Sequence, residues 1–487
     1  MLFTSGLFLF LFLPITLAGF FVVARFGGAA AGIAWLAAAS LTFYGYWVPQ
    51  FLILLLGSIA LNFCGGLVIA GAGSRRRAWN WAALFIAADL LILGYYKYYN
   101  FFAESLGAIG VAWPALSVVL PIGISFFTFT QIAYLVDAYH GKVREHRPLS
   151  YLLFVTYFPH LIAGPILHHA EMMPQFADRA TYRPRLRNIG LGLGFLVIGL
   201  AKKVLVADSI SDMADAAFNA AAGGAIGPAH AWEGAIAYAL QIYFDFSGYS
   251  DMAVGISLLF GIRLPFNFDS PYQSTSIVDF WRRWHMTLSR FLRDYLYIAL
   301  GGNRRGKARR YVNLFVTMVL GGLWHGAAWT FVIWGALHGV YLIINHVWNW
   351  AAARLGLGPD RGGRGGRIIG WGLTMLAVVV AWVFFRATSV GEAMHMLGAM
   401  AGRQPSQDVL AATPSHWLVL VPLAAAAALL PNSQRIVDGP LAAALDRSLA
   451  RRGDGAMIAI GGALIVVIWL AMVAASRTNS AFIYFNF

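Results

Sequence analysis

His325 stands where a histidine is costly. It lies in Gly321-Gly322-Leu323-Trp324-His325-Gly326-Ala327-Ala328-Trp329, in the middle of an apolar run from Tyr311 to Trp348. An ionisable residue at membrane depth is a functional hypothesis from the outset. The alternative is a packing histidine among glycines that let helices approach closely. A neutral imidazole in a dehydrated setting can serve as a general base, because its ordinary pKa is about 6.5 and burial lowers it. Gly322 and Gly326 would leave room beside the ring, and Trp324 and Trp329 could wall a passage to it.

A second histidine, His285, falls within Ser276–Leu300. At about 100° per residue, Phe280, Trp281, Trp284, Leu288, Phe291, Leu292 and Tyr295 fill one arc of a helix, with Arg282, Arg283, Arg290, Arg293 and Asp294 opposite. Such a helix lies in the membrane surface, with its arginines toward phosphates. His285 sits at the edge of the apolar arc, either as an interfacial anchor or as a group lining a cytoplasmic entrance. Asp245 and Asp251 lie inside the run Tyr243–Ala253, where a carboxylate must be paired, hydrated or protonated. Either could orient a histidine, or pair with a cation as a structural group. His160, between Pro159 and Pro165, marks a bend. His338 follows His325 by thirteen residues and need not share its site. His140, His146, His168 and His169 fall in polar loops. No metal-ligand spacing, phosphate loop or nucleophile elbow occurs at membrane depth.

The elements that must position these residues are membrane helices. Of the 487 residues, 59% are hydrophobic and 11% charged; a soluble chain carries roughly a quarter charged residues. Apolar runs occur at 2–24, 29–47, 50–72, 78–98, 107–137, 151–167, 189–207, 231–262, 311–348, 368–386, 415–431 and 457–476. A span needs about 20 such residues, which predicts about 11 to 12 spans. Run 151–167 is short and proline-broken, so it is expected to be re-entrant or interfacial. Run 311–348 is long enough for two short spans or a broken helix. The whole of 1–487 reads as one membrane domain, with core motifs over about 105–345 and peripheral spans in 1–104 and 368–476. The single cysteine, Cys64, cannot form an intrachain disulfide.

The net charge of +14 excludes nucleic-acid binding by its placement, since the basic residues cluster in short loops between apolar runs. These are Arg75–Arg77, the group of Lys142, Arg144 and Arg147, the group Arg179–Arg187, ten residues within 263–310, and the group of Arg354, Arg361, Arg364 and Arg367. The loops near Glu104 and near Asp208, Asp212 and Asp215 carry none. One topology satisfies this alternation: both termini outside, arginine loops cytoplasmic, 151–167 not crossing, and 311–348 leaving and returning. The N-terminus lacks the positive start of a secretory signal and reads as a retained span. The segment Leu355–Arg367 is expected to be a loop, and Leu441–Leu449 a short surface helix.

Five stretches in order resemble the membrane-bound O-acyltransferase family, in its bacterial alginate O-acetylase-like branch. They are Met1–Ser5 with Phe8–Pro14, then Pro159–Pro165, Tyr243–Ala253, Asp279–Gly302 and Leu320–Gly339. The resemblance implies an all-α polytopic fold with a tunnel across the bilayer. It makes His325 the family's invariant histidine and His285 its second catalytic position. It implies transfer of acetyl from a cytoplasmic thioester, expected to be acetyl-CoA, with no bound cofactor or metal. The destination implied is an exopolysaccharide, alginate first, with peptidoglycan, cellulose or teichoic acid as alternative acceptors. Periplasmic acetyl-transfer proteins are the implied partners, membrane lipids the surroundings, and the bacterial inner membrane the location. Gly322, Trp324, Gly326, Trp329 and Asp251 are the expected lining. A transporter using histidines and aspartates as a relay is the competing class; the sequence lacks the internal repeats that such a fold is built on.

Overall fold

A chain in hydrocarbon must pair its own backbone groups, and helices do so within one segment. The computed structural model describes residues 1–143, 147–355, 363–403, 413–451, 454–476 and 482–483, and among them every regular element is helical. Arg144, His146 and Arg361 lie outside the described residues. Seven helices are long and apolar enough to cross a bilayer, or eight if one broken pair counts as a span. The protein is a multi-pass membrane protein.

The seven helices and the twelve apolar runs differ for particular reasons. The first two runs share one continuous helix assignment, Leu13–Gly45, that is broken at Gly28 (φ 77°). Across that break the Trp35 indole donates to the Thr16 carbonyl at 3.0 Å, which a straight helix could not allow. The two runs are therefore the legs of a hairpin. In run 107–137 only Ile124–Tyr139 is helical. Run 151–167 forms two short helices, Pro148–Thr156 and Phe158–Leu161, whose residues are almost all buried. Run 231–262 is the helix Pro228–Leu259, kept off the apolar tally by its polar residues. Of Leu355–Arg367, residues 363–367 already belong to the helix Gly363–Arg386.

The chain divides into two compact units. One comprises 1–201, 248–266 and 433–485. Small residues set one close helix contact in it. A Cβ on Gly192 would lie 2.7 Å from the Gly255 carbonyl oxygen, and one on Gly199 would lie 2.6 Å from that of Gly248, so backbones touch where side chains would otherwise separate them. Here His160 bonds the Phe154 carbonyl at 2.9 Å through Nε2, the structural use of a buried histidine. The Ser433 hydroxyl meets both carboxylate oxygens of Asp251, at 2.8 and 2.7 Å.

The other unit comprises 202–247 and 267–432. Its centre is a helical hairpin, Lys307–His325 and Trp329–Arg354, packed along each other. The chain breaks at Gly326–Ala328, directly after His325, so run 311–348 does leave and return. The closeness of the legs depends on glycine. A Cβ on Gly322 would sit 2.2 Å from the Phe331 carbonyl oxygen, and one on Gly335 would sit 2.4 Å from that of Met318. Gly326 is pressed in the same way against the Phe331 ring, 2.1 Å from a built Cβ.

Candidate active site

The surface helix expected over Ser276–Leu300 is broken where its chemistry lies. Ile277–Arg283 starts on Ser276, whose hydroxyl accepts from the Asp279 amide at 3.1 Å. It ends at Trp284, and a second short helix begins at Met286. Between them His285 takes the left-handed conformation, with φ 43° and ψ 54°. Ser270 and His285 are the non-glycine residues with positive φ among those described. Such backbone costs about 1–3 kcal/mol and persists only where its surroundings hold it.

Asn267 is what holds it. Its Oδ1 accepts from the Thr287 amide at 3.3 Å, from the Thr287 hydroxyl at 2.8 Å and from His285 Nδ1 at 3.1 Å. Its own carbonyl accepts from the Met286 amide at 2.9 Å. The Thr287 N–H can only donate, which identifies the Asn267 side-chain atom as oxygen. His285 must therefore carry its proton on Nδ1, and the neutral ring has its lone pair at Nε2. The reorientation also overturns the expected exposure. His285 is fully buried, turned into the protein instead of toward the boundary with lipid, and burial pushes its pKa down to about 3.

His325 is the last residue of its helix and is 3% exposed. Its ring centroid lies 6.2 Å from that of His285. Trp324 touches both rings, at 4.9 Å from His325 and 6.2 Å from His285. Phe246 stands against His285 at 4.8 Å, and Phe385 and Trp334 against His325 at 5.1 Å each. Trp382 closes the far side of Trp334, its ring 5.8 Å away. Two imidazoles thus share one aromatic box that shields them from water. A hydroxyl and a carbonyl placed between them would each have a ring in reach, which is what acyl transfer to an alcohol requires.

The expected lining separates in this geometry. Trp324, Gly322 and Gly326 are at the site, the glycines as the contacts that bring the hairpin legs together. Trp329 is 56% exposed at the start of its helix, and the indole beside His325 on that helix is Trp334. Asp251 is held by Ser433 within the other unit. Asp245 pairs with Lys203 Nζ at 2.7 Å, and the same ammonium meets Asp208 at 2.7 Å, so both carboxylates are structural and the group that orients His285 is an amide. Lys203 lies inside run 189–207, where sequence alone gives no sign of its partners. Asn267, Phe246 and Phe385 left no signal in spacing. His338 does join the cluster: it is buried 4.9 Å from the Trp334 ring, and its Nδ1 accepts from the Trp281 indole at 3.2 Å. Among the described residues no group of three histidine, cysteine or acidic side chains could hold a metal ion.

Known proteins match most of this chain. The model of the membrane-bound O-acyltransferase family matches residues 124–361, which include both histidines. A peptidoglycan O-acetyltransferase of Helicobacter pylori is 42% identical over 429 residues, covering 82% of this chain and 80% of that protein. A probable alginate O-acetylase of Pseudomonas putida is 44% identical over 410 residues, covering 82% of this chain and 80% of that protein. Its counterpart in Pseudomonas aeruginosa is 43% identical over 410 residues, covering 82% and 75%.

Proposed function

This chain belongs to the membrane-bound O-acyltransferase family, and we propose that it moves acetyl from acetyl-CoA on the cytoplasmic side through the membrane to O-acetylate an exopolysaccharide, alginate first. That it is an acyltransferase follows from the family and from relatives named as O-acetyltransferases. The observation that carries the finer reading is the convergence of His285 and His325, 6.2 Å apart, inside one water-excluding aromatic box.

In the proposed reaction His325 takes the proton of the acceptor hydroxyl as its oxygen bonds to the thioester carbonyl carbon. The tetrahedral oxyanion then collapses, the C–S bond breaks, and the leaving thiolate takes the proton back from the imidazolium. The products are the acetyl ester and the free thiol, so protons and electrons balance. His285, locked by Asn267, holds the acetyl donor in line and adjusts the polarity around its carbonyl. The acceptor hydroxyl belongs to the sugar or to a periplasmic protein that passes acetyl on. No resident cofactor or metal takes part. The enzyme sits in the bacterial inner membrane with its arginine loops cytoplasmic and both termini outside, which places the donor on the side where thioesters are made.

Peptidoglycan is a second acceptor reading, favoured by the Helicobacter pylori relative. One experiment separates the two. The gene is deleted and replaced with wild type or His325→Ala, and O-acetyl is measured on exopolysaccharide and on peptidoglycan. Wild type is expected to restore exopolysaccharide acetylation, and His325→Ala to restore none while reaching the membrane at normal levels. Full acetylation by His325→Ala would remove the base from the mechanism, and acetyl missing from peptidoglycan alone would change the acceptor.

A further inference from the structure

The first unit holds a carboxylate at membrane depth that the proposed reaction does not use. Asp89 follows Arg75 by fourteen residues on the helix Arg75–Leu93, roughly 21 Å along its axis, and is 2% exposed. Asn62, on the helix Phe51–Ala70, donates from Nδ2 to Asp89 Oδ1 at 2.8 Å and to the Ser58 carbonyl at 3.0 Å. That carbonyl can only accept, which fixes the Asn62 amide with its nitrogen toward both partners. Gln131, on the helix Ile124–Tyr139, donates to the Ser58 hydroxyl at 2.8 Å. The three helices pack on one another, so these bonds join one cluster across all of them.

The cluster is short of positive charge and of donors. Asp89 Oδ2, Asn62 Oδ1 and Gln131 Oε1 are buried without a hydrogen-bond partner among the described residues, and no lysine or arginine among them pairs with Asp89. Lys97, eight residues further along, donates to Ser125 at 3.0 Å. Tyr134, one turn after Gln131, and Tyr151 set their rings 4.4 Å apart, and both hydroxyls also lack a partner among the described residues. A buried carboxylate is too costly to persist uncompensated. A proton would cancel the charge but bring one donor to three bare acceptors. A water would bring two donors and leave the charge.

We propose that this cluster binds a small monovalent cation of the sodium type, with Asp89 supplying the charge and Asn62 and Gln131 the neutral oxygens. A hard cation takes carboxylate and amide oxygens and answers the shortage of donors and of charge together. One carboxylate matches one positive charge, whereas a divalent ion would leave excess charge in the membrane interior. The bound ion ties the three helices to one another. Its effect is on the stability of the first unit and is independent of the acyl chemistry.

The test uses the purified full chain in detergent, unfolded thermally in sodium chloride and in choline chloride at equal ionic strength and pH. Sodium is expected to raise the wild-type midpoint by about 2 °C, saturably. Asp89→Asn keeps the side-chain shape and removes the charge. It is expected to abolish the sodium effect and, in choline, to unfold no lower than wild type. Binding of radiolabelled sodium to the wild type is measured beside this, with one ion per chain expected, so the proposal stands or falls even where the variant does not fold. A wild type with equal midpoints in the two salts and no bound sodium would overturn it and leave Asp89 neutralised by a proton. An undiminished sodium effect in Asp89→Asn would also overturn it, by placing the ion elsewhere. Calcium bound in preference to sodium would overturn the charge match.

Discussion

Replacing Asn267 tests whether an amide holds the second histidine in place. Asn267→Ala removes the acceptor of three hydrogen bonds, from His285 Nδ1, the Thr287 amide and the Thr287 hydroxyl. A net contribution of about 1 kcal/mol per bond gives a loss of about 3 kcal/mol, and the stranded donors, two of them buried with Thr287, add to it. The same change frees a backbone held at φ 43°, so His285 should relax out of the left-handed region and leave the box. Asn267→Asp is the informative partner. It keeps the acceptor, so the turn should survive, but it sets a carboxylate beside the ring and favours the imidazolium. The wild-type His285 pKa, lowered to about 3 by burial, should then rise. Acetyl transfer by the aspartate variant is expected to lose activity first at the acid end of its pH profile. Both variants are assayed as purified protein, by thermal unfolding and by release of free thiol from acetyl-CoA. Asn267→Ala retaining turnover within about twofold of wild type would refute the clamp, because a loss of about 3 kcal/mol in positioning predicts on the order of a hundredfold.

Three further outcomes follow from the geometry. Lys203→Met strands Asp245 and Asp208, so a destabilisation of about 3–5 kcal/mol is expected in denaturant unfolding, and adding Asp245→Asn should recover most of it; no recovery would mean that Lys203 acts by packing. Gly322→Ala sets a Cβ 2.2 Å from the Phe331 carbonyl oxygen, and the hairpin legs must part to accept it; turnover is expected to fall more than membrane expression, and unchanged turnover would detach the hairpin contact from the position of His325. His285 and His160 have pKa values lowered by burial to about 3 and about 4. Their folded values lie below the ordinary 6.5, so their contribution to stability is complete above about pH 6.5 and is lost as pH falls toward 3. Unfolding followed from pH 7 to pH 4 should show this decline, and a profile flat over that interval would contradict the burial of both rings.

What could be read in the sequence was set by the range of each interaction. The helical class, the hairpin of 311–348 and the irregular 151–167 depend on apolar length and on glycine and proline, which are local. The pairing of His285 with His325 came from resemblance, and the structure supplies its physical reason: the two approach because the first sits on a broken helix and the second at the end of one. The apolar arc drawn on Ser276–Leu300 assumed an unbroken helix, and that assumption failed at His285, where no glycine or asparagine announced a left-handed residue. The cue lay eighteen residues earlier, in Asn267, an ordinary polar residue in an irregular stretch whose meaning appears only when Thr287 and His285 are beside it. The carboxylates erred in the opposite direction. Asp245 and Asp251 looked chemical because charge in an apolar run is expensive, but Lys203 and Ser433 satisfy them from distant parts of the chain.

The same contrast separates two kinds of buried polar group in the second unit. Asp245 is buried and paired, and a pair of that kind does its work by being complete. Thr330, Trp334 and His338 are buried with polar atoms that have no partner among the described residues, on the helix that packs beside His325. The hairpin is close-packed at Gly322 and Gly335. The close glycine contacts of the hairpin and the buried polar atoms beside His325 thus lie on a single helix pair, so one change in its packing is expected to move both.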